Sequence, residues 1–60
     1  MTREAFTTAL EEQLRIQGIS FTLHELLDFV EVVWPLAEDD ADVVVWAQRF
    51  IDSGRGTAFA

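Results

Sequence analysis

Apolar residues recur at helical spacing in three stretches of the chain, and the stretches differ in how far around a helix the apolar face reaches. In the first, Phe6, Leu10 and Leu14 return at every fourth position, with Ala9 and Ile16 at the margin. This predicts a helix from about Arg3 to Gln17 with a narrow buried stripe. Thr2 is placed as its N-cap, where a hydroxyl accepts a bond from an otherwise unpaired amide. Gly18 stands where a left-handed C-terminal residue is wanted. Ile19 follows in position for the hydrophobic contact that accompanies such an ending.

The middle stretch differs in kind. Leu23, Leu26, Leu27, Val30, Val33 and Trp34 form one stripe, while Phe29, Val32 and Leu36 carry apolar surface round to a second face. With successive side chains about 100° apart, the apolar arc spans roughly 220°, against the ~100° a surface helix uses. Such a helix needs cover on both flanks. Its start is marked by Thr22 and Glu25, which match a capping box, and by Phe21 and Leu26, which are spaced as the accompanying hydrophobic staple. Pro35 has no amide hydrogen and its ring clashes with the carbonyl of Glu31, so the predicted helix, from Thr22 to Trp34, ends or kinks there. The short turn from Gly18 to Phe21 folds the first two helices back on one another or crosses them steeply.

In the third stretch Val43, Trp46, Ala47 and Phe50 share a face, Val44 and Ile51 flank it, and Val45 alone points toward Gln48, Arg49 and Asp52. A helix from about Asp40 to Ser53 follows, with the acidic run Glu38, Asp39, Asp40 and Asp42 at its electropositive end. A strand through Val43 to Trp46 competes, on β-branched propensity, but the helical stripe continues through Phe50 and Ile51. Arg55 to Ala60 reads as a flexible tail in which only Phe59 has the bulk to dock. The chain is therefore expected to be all-α: one three-helix domain over residues 1–54 followed by a tail over 55–60. Its centre is expected to be Phe6, Leu10, Leu14, Leu23, Leu26, Leu27, Val30, Val33, Val43, Trp46, Ala47 and Phe50.

Length sharpens the question of cover. A domain of 60 residues buries only about 60% of its unfolded surface. With no cysteine to staple it, burial and ordering entropy nearly cancel, which favours association with a second chain. Eleven acidic residues against four arginines and no lysine give a net charge of −7, which opposes phosphate backbones and anionic lipid surfaces. Neither a nucleic acid nor a membrane is an expected partner. Arg3 and Glu4 interrupt the first turn before a secretory signal could form, and the apolar runs are too short to cross a bilayer, so a cytoplasmic protein is expected.

Candidate chemistry is sparse. His24, the one histidine, lies on the polar side of the middle helix near Asp28 and Glu31, with no second histidine or nucleophile at matching spacing. The cluster Glu38 to Asp42 offers hard oxygen ligands but lacks the glycine and the bidentate glutamate of a calcium loop; helix capping accounts for it. Asp52-Ser53-Gly54 differs from the Asp-Ser-Leu attachment site of acyl carrier proteins, in which the serine begins a helix, whereas Ser53 stands where one ends. A DNA-reading helix-turn-helix is disfavoured by Glu25, Asp28 and Glu31 on the second helix. No enzyme activity, metal or cofactor is expected. The expected function is a protein–protein interaction module that forms a homodimer through Phe29, Val32 and Leu36, with Trp34 as an anchor. The alternative is an acidic inhibitor that presents Glu38, Asp39, Asp40 and Asp42 to a basic partner protein as phosphate surrogates.

Overall fold

A computed structural model describes residues 1–58 of the chain, in the order α1 (Arg3–Ile16), β1 (Ile19–Ser20), α2 (Leu23–Ala37), α3 (Val43–Asp52) and β2 (Thr57–Ala58). The three-helix domain stands, and each helix begins on a side-chain cap. Thr2 accepts the Ala5 amide at 3.1 Å, and Asp42 accepts the Val44 amide at 3.1 Å. At α2 the capping box is complete: the Thr22 hydroxyl accepts the Glu25 amide at 3.1 Å, and the Glu25 carboxylate accepts the Thr22 amide at 2.9 Å. Gly18 ends α1 with φ of 73°, a conformation open to glycine at little cost, and Ile19 beyond it is buried in the core.

Two boundaries move. α2 runs through Pro35 to Ala37 rather than stopping at Trp34. Proline so near a C-terminus forfeits the bond to Glu31 while the turn still closes through the Glu38 amide on the Trp34 carbonyl at 2.8 Å, and fully buried Ala37 anchors it to the core. α3 starts at Val43 rather than near Asp40, because Asp42 is the cap and the carbonyl of Asp40 is taken by the Trp46 indole N–H at 2.7 Å. That tie gives Trp46 a partner of its own. Trp34 packs on Phe6 with ring centroids 5.5 Å apart, so the start of α1 lies beside the end of α2.

The expected centre of the molecule also shifts. α1, with Phe6, Leu10 and Leu14 fully buried, packs against both other helices, so the narrow first stripe rather than the wide second one is the hub. On α2 the buried set is Leu26, Phe29, Val30, Val33 and Ala37, a face turned by roughly 50° from the expected stripe at 100° per residue. Leu23 and Leu27, expected in the core, are 63% and 48% exposed, and Val43 is only partly buried. Phe29 turns inward because Phe50 receives it edge-on, at 5.2 Å and 84°. Phe21 meets Phe50 at 6.0 Å in a similar geometry, which draws the β1–α2 junction onto the same ring.

The expected loose tail does not begin at Arg55. Beyond Gly54, with φ of 85°, the chain turns back, and Thr57–Ala58 pairs antiparallel with Ile19–Ser20, Ile19 opposite Ala58 and Ser20 opposite Thr57. Gly56 makes this return possible: a side chain there would meet Ile19 Cγ2 and Phe50 Cε1 at 2.9 Å, and its φ is +71°. The domain therefore extends through Ala58. Phe59, the residue expected to dock, lies outside the described residues.

Candidate interaction surface

α2 presents two apolar flanks on either side of its buried face. Leu23, Leu27 and half-buried Trp34 line one. The other begins at Glu25, passes Asp28 and Phe29, and continues to Val32 and Leu36, which are 64% and 68% exposed. Of the four residues expected to form one interface, only these last two share an exposed face, one turn apart. Phe29 is 4% exposed and belongs to the core, which corrects its expected place on the surface. Trp34 lies about 160° around the helix axis from Val32 and Leu36, by the period of an α-helix, and spends much of its ring on Phe6. It cannot anchor the same contact as they do.

The second flank is partly occupied by the chain's own C-terminal segment. The Arg55 guanidinium bonds Asp28 at 3.2 Å and lies over the Phe29 ring, 5.4 Å from its centroid. The Gly56 amide donates to the second oxygen of Glu25 at 3.0 Å. One carboxylate thus closes the α2 capping box and holds the returning strand. The Gly56 amide, and after it the Thr22 amide, keep the Glu25 carboxyl below the ordinary carboxylate range, with desolvation working the other way. The Asp28 ion pair is largely exposed, so it fixes geometry more than it adds stability.

The acidic run is arranged differently. Glu38, Asp39, Asp40 and Asp42 are all exposed in and beside the α2–α3 turn, and Asp42 spends a carboxylate oxygen on capping α3. Among the described residues none of the four pairs with an arginine: the ion pairs are Glu11–Arg15 and Asp28–Arg55. His24 is exposed on the first turn of α2, and no group of three or more potential metal ligands converges among the described residues. No helix among them is long and apolar enough to cross a membrane. Compared with known protein families, characterised proteins and solved structures, the chain matches none.

Sequence reasoning missed the contact set of Glu25, Asp28, Arg55 and Gly56. A signal was present in Gly54-Arg55-Gly56, two glycines spaced to reverse the chain around a cation, followed by a strand-compatible threonine. What periodicity cannot convey is that Glu25, already assigned to a helix cap, has a second oxygen free for a segment 31 residues further on.

Proposed function

We propose that this chain is a cytoplasmic, non-enzymatic protein–protein interaction module that self-associates as a symmetric dimer through the flank of α2 at Val32 and Leu36. One observation carries the reading: after the monomer has folded, these two large apolar side chains stay about two-thirds exposed, side by side on a rigid helix. A small domain gains most from burying such a patch against a copy of itself, because a two-fold axis brings the patch onto its own equivalent. Sedimentation equilibrium over a wide concentration range tests it. A dimer that Leu36→Glu returns to monomer, with helical circular dichroism unchanged, is the expected outcome; a wild-type chain that stays monomeric at millimolar concentration sinks it.

A second reading rests on a separate feature, the exposed carboxylates of Glu38, Asp39, Asp40 and Asp42, which lack an arginine partner among the described residues. They suit an inhibitor that docks on the basic site of a nucleic-acid-binding protein. Salt-sensitive binding to such a protein, weakened when Asp39 and Asp40 become asparagine, is its signature. Binding indifferent to salt rules it out.

A further inference from the structure

We propose that the flank of α2 formed by Leu23, Leu27 and Trp34 docks an amphipathic helix of a different protein, one that carries lysine or arginine beside its apolar stripe. This flank lies across the buried face of α2 from Val32 and Leu36, so either surface can bind without the other.

The electrostatics of α2 name the occupant. Backbone carbonyls at the C-terminal end of a helix favour a nearby cation. α1 supplies one in its last turn, Arg15, and α3 supplies Arg49, but the last turn of α2 has none. Instead Glu38 is its C-cap, and Asp39 and Asp40 follow, all three exposed. These carboxylates add to the negative end of the helix rather than offset it. No arginine among the described residues pairs with them or with exposed Glu31.

That negative end adjoins the apolar flank. Leu23, Leu27 and Trp34 fall within about 40° of one another around the helix axis, and Glu31 and Glu38, one turn beyond Leu27 and Trp34, each stand about 40° outward of them. Leu23 and Leu27 are exposed, and half-buried Trp34 rests on Phe6, so α1 borders the flank on its inner side and the carboxylates border it on the outer. Over three turns this is an apolar floor with an acidic rim, the complement of a helix whose stripe is edged by cations. The flank follows a helix and has no strand edge to extend, which leaves helix packing as the way to cover it. The same carboxylates repel a phosphate backbone. A second copy is poorly equipped for this flank: it has no lysine, and Arg15, Arg49 and Arg55 are engaged with Glu11, Trp46 and Asp28.

The test uses the full chain and three synthetic peptides of equal length. One carries leucine on one helical face with lysine beside it, one has glutamate in place of each lysine, and one scrambles the leucine and lysine so that no stripe forms. Amide shifts in NMR locate binding, and calorimetry measures it. The expected result is binding of the first peptide alone, with shifts centred on Leu23, Leu27, Glu31, Trp34 and Glu38. Leu27→Ala should weaken it roughly tenfold, the scale of one leucine withdrawn from an apolar contact. Helical circular dichroism should stay unchanged, since Leu27 faces solvent. Glu31→Gln with Glu38→Gln should weaken binding about fivefold at low salt, whereas Glu4→Gln with Glu12→Gln, on the outer face of α1, should change it by less than about twofold. Equal losses from the two pairs would reduce the effect to net charge and overturn the site. Equally tight binding of the scrambled peptide, shifts centred on Val32 and Leu36, or no binding of the striped lysine peptide at millimolar concentration would overturn it too. Leu36→Glu, which dissolves the dimer proposed above, should leave the peptide bound, so the two surfaces stand or fall separately.

Discussion

α1 and α2 are nearly the same length and pack against one another, yet they use their apolar residues in opposite ways. The stripe of α1 is narrow, and Phe6, Leu10 and Leu14 are wholly buried. The arc of α2 is about twice as wide as a surface helix requires, and it leaves Leu23, Leu27, Val32 and Leu36 exposed around five buried neighbours. A narrow stripe has one way to face a core, so its pattern dictates its rotation. A wide arc has several, and contacts from elsewhere choose among them: Phe50 drew Phe29 inward, and the returning strand fastened Glu25 and Asp28 on that side. Excess apolar width on a helix thus marks a place where the buried face cannot be read from period alone.

The largest test of this contrast is truncation at the hub. Leu10→Ala should cost about 2–5 kcal/mol by urea denaturation, because a fully buried leucine with no solvent-facing side leaves a cavity. In a domain this small that loss should populate the unfolded state at room temperature; a cost under about 1 kcal/mol, well below that range, would remove α1 from the centre. Next in size is Thr22→Ala, which breaks the capping box that orients α2 and should lower stability by about 1 kcal/mol, with a fall in melting temperature. Smaller again, Leu27→Ala or Leu36→Ala should change monomer stability by no more than about 0.5 kcal/mol despite removing a leucine, since both positions face solvent. A core-sized loss at Leu27 would restore the expected stripe and contradict the turned face.

The smallest effect is in pH. Glu25 has its carboxyl lowered from an ordinary value of 4.5, by the Gly56 amide first and the Thr22 amide second. A lowered folded value means the unfolded chain binds the proton more readily, so the contribution to stability is present above the ordinary value and lost as pH falls through the lowered one. Arg55 faces the carboxylate from the returning segment, and Asp28 lies one turn along the same helix. Amide exchange at Gly56 should therefore accelerate on acidification through that window, beyond the intrinsic pH dependence, and Glu25→Gln should abolish the excess. A Gly56 amide equally protected on both sides of the window would show that Glu25 does not hold the returning segment.

The α2 arc also explains which parts of the candidate surface were legible. Val32 and Leu36 stood out as apolar positions beyond the first stripe, and they are exposed. Phe29 carried the same signal but was misplaced, because its burial depends on Phe50 and on Arg55, 21 and 26 residues away along the chain. Trp34 was drawn inward by Phe6 for a similar reason. The acidic run was fully visible, and its exposure required no tertiary information, since carboxylates without partners remain in water.

Local chemistry decided the elements themselves. Caps at Thr2, Thr22 and Asp42, glycines at the ends of α1 and α3, and periods of apolar residues act within a turn or two of the chain, so the three helices and their order follow from neighbours in sequence. Tertiary contacts decided what local chemistry left degenerate: the rotation of α2, its passage through Pro35 to buried Ala37, and the return of Arg55–Ala58 onto Glu25 and Ile19. Each depends on residues far apart in the chain meeting in space, and no period or cap records which of them will meet.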